Sequence, residues 1–173
     1  MILGMSDHDF TGFHVALGFA GLISGLVVVL GMLNDVQLPR WTALFVITTI
    51  ATSVTGFLFH SASFSPPQVI GVISLIVLTA AVAALYIYHL SGGWRSVYVA
   101  AAVLALYLNA FMGVAQAFQK IPVLHALAPT GSEPPFLLAQ AAVLALFVLM
   151  AVLSLKRFQA SPVGSAPSAR ASS

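Results

Sequence analysis

"VIGVISLIVLTAAVAALYIYHL", residues 69–90, runs without a single Asp, Glu, Lys or Arg. As a helix rising 1.5 Å per residue it reaches about 33 Å, and a bilayer's hydrocarbon core is about 30 Å thick. Such a helix has no polar face to turn toward water, so lipid is its natural solvent. Four further segments read the same way: 12–33, 41–59, 95–118 and 136–155. The whole chain agrees. Its 173 residues are 60% hydrophobic and 6% charged, whereas a soluble chain carries about 25% charged residues. The expected fold class is therefore all-α, an integral membrane bundle of five transmembrane helices in one domain over 1–157. A Ser/Ala/Pro-rich tail, 158–173, is expected to be disordered in the cytoplasm.

The first segment is preceded by "MILGMSDHDF", which carries Asp7 and Asp9 and no basic residue. No A-x-A-like site follows it, so it reads as a retained span rather than a signal peptide. Short connections at 34–40, 60–68 and 91–94 make successive helices antiparallel neighbours. Pro39, Pro66 and Pro67 read as helix stops. The one long connection is "QKIPVLHALAPTGSEPP", 119–135. Its apolar part is too short to span and is expected to lie in the interface or fold over the bundle mouth. Thr130 or Ser132 is expected to cap the last helix, with Glu133 favourable at its positive end.

Arg40, Arg95, Lys156, Arg157 and Arg170 gather on one side, and Lys120 alone on the other. Positive charge stays in the cytoplasm, so the N-terminus faces out and the C-terminus in. The outer face then holds His14, His60, His125 and Glu133. The absence of cysteine excludes disulfides, thiolate metal sites and Cys nucleophiles. The net charge of +2 comes with no basic cluster, so nucleic acid is not an expected partner. The expected partners are the lipid bilayer and a second membrane protein, either another copy of this chain or a different one.

Helices in lipid associate through small residues and polar contacts. His14, Gly18, Gly21 and Gly25 share one face of the first helix, with Gly21 and Gly25 forming a GxxxG pair. Thr49, Ser53, Gly56 and His60 share one face of the second. The two stripes are expected to meet, bringing His14 and His60 together at the outer end. Asn109, Gly113, Gln116 and Lys120 share a face of the fourth helix. Asn109 and Gln116 read either as interhelical hydrogen-bond partners or as the lining of a ligand or proton path. Gln140 would extend that cluster outward.

Two chemical readings compete at this outer cluster. Histidines on membrane helices can hold haem iron, but glycine stripes draw helices too close for a porphyrin between His14 and His60. A metal bound by His14, His60 and His125 with an acidic residue is conceivable, yet no helix carries an H-x-x-x-H or H-E-x-x-H pair. Interfacial histidines are also ordinary, because one end of the ring sits in water. No nucleophile elbow, phosphate loop or pair of intramembrane carboxylates is present.

Residues 92–140, with "GGWRSVYV" and "YLNAFMGVAQAFQKIPVLHALAPTGSEPPFLLAQ", resemble a family of small bacterial multi-pass inner-membrane proteins with no assigned function. The resemblance implies a bacterial inner membrane. It supplies no catalytic or cofactor residue and draws attention to Asn109, Gln116, Lys120, Glu133 and Gln140. The expected function is a non-enzymatic binding, transport or partner component with a polar outer cluster. The alternative is an electron-transfer protein holding haem, metal or quinone near His14 and His60.

Overall fold

The computed structural model describes residues 4–59 and 65–158. His60 therefore lies outside the described residues, as do Ser61, Ser63 and the tail beyond Phe158. Every regular element among the described residues is a helix: α1 (Asp7–Leu33), α2 (Pro39–Gly56), α3 (Pro66–Val82) continued by a π turn (Ala83–Ile87), α4 (Trp94–Lys120), α5 (Pro122–Leu127) and α6 (Pro134–Arg157).

The helix ends follow local chemistry. Ser6 caps α1, its hydroxyl accepting from the Asp9 N–H at 3.1 Å. Ser65 and Gln68 form a capping box at the start of α3. The prolines do not stop helices, as the sequence led us to expect; they begin them. Pro39, Pro66, Pro122 and Pro134 each stand in the first turn of a helix, where the missing N–H has no intrahelical partner to lose. After the π turn, His89 and Leu90 take left-handed backbone (φ 47° and 58°). The Leu90 N–H bonds the Ala84 carbonyl at 3.0 Å, and Tyr88 stacks flat on Trp94 at 3.6 Å. These contacts hold a conformation that costs a non-glycine residue about 1–3 kcal/mol.

α1 packs on α2 and α4, and α3 packs on the same two helices, so α1 to α4 form a closed ring. α6 lies outside the ring against α4 and α1. The core of the ring holds Val28, Phe45, Leu78, Val99 and Leu106. Four helices are long and apolar enough to cross a membrane: α1, α3 with its π turn, α4 and α6. α2 is not among them, because Arg40 and its Ser/Thr residues dilute its apolar surface. It hides several of those hydroxyls. Thr48, Thr52 and Thr55 donate to the carbonyls of Leu44, Thr48 and Ala51 at 2.7, 2.8 and 2.7 Å.

Candidate functional site

The glycine stripe of α1 is the seam on which the ring is built. A Cβ at Gly25 would come within 2.5 Å of Leu106 and 2.8 Å of the Phe45 ring. One at Gly21 would meet the Thr49 hydroxyl at 3.1 Å and the Asn109 amide at 3.2 Å. α1 therefore touches α2 and α4 together at this depth. Toward the start of α1 the contact loosens. A Cβ at Gly18 would meet only Thr52, at 3.9 Å, and one at Gly113 would meet nothing within 4 Å.

Between the loosened ends of α1, α2, α3 and α4 lies a cavity of about 580 Å³. This is within the ~300–1,000 Å³ range of sites that enclose one small molecule. Its wall is graded along the helix axes. The deeper part is mainly apolar, with Leu22, Leu108 and Met112. The part toward the start of α1 carries His14, Gln68, Gln116 and Lys120. Phe19 of α1 is 61% exposed and Gly113 of α4 is also exposed, and both line the cavity. The mouth therefore runs along the α1/α4 seam as well as the end of the ring at which α1 begins.

His14 is fixed by three neighbours. Its ring meets the Phe59 edge at 5.1 Å, and a Cβ added at Gly56 would stand 3.7 Å from its Cε1. Its Nδ1 lies 2.8 Å from Thr55 Oγ1. That oxygen is also 2.7 Å from the Ala51 carbonyl and 3.1 Å from the Thr52 carbonyl. Two oxygens at 2.7 Å need a proton between them, and a hydroxyl has only one. The Thr55 proton therefore points to the backbone, and Nδ1–H donates to Thr55. Nε2 is left as an acceptor with no hydrogen-bond partner among the described residues.

Asn109 makes an interhelical bond and also faces the cavity. Its Nδ2 donates to Thr49 Oγ1 at 3.1 Å, tying α4 to α2, and the residue also lines the floor of the cavity. Gln116 and Lys120 line the wall above it, and Ser53 and Gly56 line the α2 side. Gln140 belongs elsewhere. It lies on α6 across α4, donates from Nε2 to the Phe111 carbonyl at 3.1 Å, and leaves a buried Oε1 unpartnered among the described residues. Phe111 stands about 200° around α4 from Asn109 at 100° per residue, so Gln140 cannot join the cavity cluster.

Glu133 and His125 also lie away from the cavity. His125 is exposed on α5. α5 packs on the end of α4, with Val123 and Leu127 exposed; only Ile121, just before it, reaches the rim. Thr130 and Ser132 do not cap α6. Glu133 occupies the cap position and makes no capping bond. Instead, its carboxylate accepts from the Thr130 N–H and hydroxyl at 3.0 and 2.9 Å, and from the Ser132 N–H at 3.0 Å. Desolvation opposes ionisation of Glu133, and the donors from Thr130, Ser132 and its own N–H outweigh it. The carboxyl is held down at about 2.

Among the described residues no three His, Asp or Glu side chains converge on a point that would hold a metal. Sequence reading missed Thr52, Thr55 and Gln68. Thr52 and Thr55 flank the Ser53/Gly56 stripe on the side turned to α1, and S-x-x-Q at 65–68 is a legible capping box. No protein-family model, curated protein or solved structure matches the chain.

Proposed function

We propose that this chain is a five-span protein of a bacterial inner membrane, N-terminus out, that binds or passes a single-chain amphiphile through its outer cavity without chemical conversion. The observation that carries this reading is the graded wall: apolar at depth, with polar groups near the mouth. A lipid-like molecule has the same gradient. Four helices already qualify as spans, and α2 supports a fifth. Its 18 residues reach about 27 Å, and its backbonded hydroxyls lower the cost of placing them in lipid. The orientation rests on Arg40, Arg95, Lys156 and Arg157, and the inner membrane on the resemblance of residues 92–140. Native mass spectrometry of the protein released from its membrane tests the function. Retention of one small amphiphile per chain is expected. A bare protein that takes up no added amphiphile in nanodiscs would sink the proposal.

The redox alternative draws on the Nε2 of His14, an available ligand atom whose ring is oriented through Nδ1 as metal-binding imidazoles are. Among the described residues no group of three His, Asp or Glu side chains gathers beside it. A Soret band in the purified protein, lost on His14→Ala, would favour that reading over ours.

A further inference from the structure

Lys120 is the charged side chain on the cavity wall. It makes no ion pair or hydrogen bond with any described residue. The chain's four acidic residues are Asp7, Asp9, Asp35 and Glu133, and all of them are described. None lines the cavity. Glu133 is engaged by Thr130 and Ser132. The segments outside the described residues contain no Asp or Glu, and no acidic side chain shares the cavity wall with Lys120.

Resting on the binding function proposed above, we infer that the ligand carries one anionic head, a carboxylate or a phosphate, on a single apolar chain. Three features converge on this chemistry. The cavity presents a cation at its mouth with no internal counter-charge, so an anionic head is attracted and a cationic one repelled. Gln116, one turn deeper on the same face of α4, offers amide N–H donors to a second head-group oxygen. The Nε2 of His14 accepts from the hydroxyl that a phosphate monoanion retains; a carboxylate offers it no proton. The axial order also matches: the polar groups stand at the outer end and Phe19, Leu22 and Met112 lie below. A chain entering from the outer leaflet along the α1/α4 seam reaches this order head-out, without turning over. The volume of about 580 Å³ suits one chain; a two-chain phospholipid exceeds it.

The test uses full-length protein in phosphatidylcholine nanodiscs, whose zwitterionic surface adds no net field. Dansyl-undecanoic acid is titrated against its methyl ester, and dodecanoic acid, dodecyl phosphate, dodecanol and dodecylamine compete for the bound probe. The acid is expected to bind about ten-fold tighter than the ester, the range of a hydrogen bond to a charged group. Lys120→Gln should remove that margin. Lys120→Arg should keep it. The relative strength of dodecanoic acid and dodecyl phosphate assigns the head as carboxylate or phosphate. If ester and acid bind equally in the wild type, the anionic head is wrong while the binding function survives. If neither probe nor any competitor binds, both are wrong.

Discussion

The His14 ring donates from Nδ1 to Thr55 Oγ1 across 2.8 Å, and the Thr55 hydroxyl donates in turn to the Ala51 carbonyl at 2.7 Å. One threonine thereby sets the tautomer of a histidine on a neighbouring helix and leaves Nε2 free to act as an acceptor.

Thr55→Val removes the oxygen that receives Nδ1–H. Nitrogen NMR of the His14 ring is the direct reading. In the wild type Nδ1 should carry the proton, and in Thr55→Val the two tautomers should mix. The net stability loss should be about 0.5–1.5 kcal/mol, the ordinary worth of one hydrogen bond. A wild-type ring protonated at Nε2 would refute the assignment.

The α1 seam makes a sharper mechanical prediction. Gly25→Ala should raise helix propensity by about 1 kcal/mol, yet the new Cβ collides with Phe45 and Leu106, both almost wholly buried. Overpacking of this kind costs about 1–3 kcal/mol, so the net effect should be destabilising. Gly113→Ala meets nothing and should be neutral or stabilising. Thermal midpoints of the two variants in the same detergent decide it. Equal midpoints would contradict the close approach at Gly25.

Much of this was readable in advance, for a simple reason. Helical spacing fixes which residues share a face, so the His14/Gly18/Gly21/Gly25 stripe and the Asn109/Gln116/Lys120 face follow from numbering alone. What spacing does not give is the rotation of one helix against its neighbour. That is why Ser53 was favoured at the seam while Thr52 and Thr55, each one residue before a member of its stripe, make the contacts with Gly18 and His14. It is also why the contact of Gln140 with the Phe111 carbonyl did not follow from its place one turn into the last helix. The π turn at 83–87 has no signature in a run of Ala, Leu, Tyr and Ile. α2 was readable as an apolar run, but its threonines bring it below the apolarity of the other four helices.

Asn109→Leu should cost only about 0.6 kcal/mol and at most about 1.7, because one interhelical hydrogen bond in lipid is worth no more. Binding in the cavity should persist, since the Asn109 donor already serves Thr49. A loss of folded protein at ordinary temperature would mean that Asn109 supports far more than one bond.

Glu133 gives a prediction in acid. Its folded value of about 2 lies below the ordinary 4.5, so the loop's carboxylate contribution is complete above the ordinary value. It is lost as pH falls toward the folded one. The Thr130 and Ser132 amide resonances should move with a midpoint near 2, and Glu133→Gln should abolish the movement. A midpoint at the ordinary value would show that the 130–133 loop does not hold its carboxylate.

The central claim is that an amphiphile occupies the cavity between α1, α2, α3 and α4. The sequence contains no cysteine, so Ser53→Cys places a single thiol on the cavity wall. Its reaction with a lipid-soluble maleimide should be slowed several-fold by dodecanoic acid in nanodiscs and restored when the acid is extracted. A thiol that reacts at the same rate with and without the amphiphile would contradict the account.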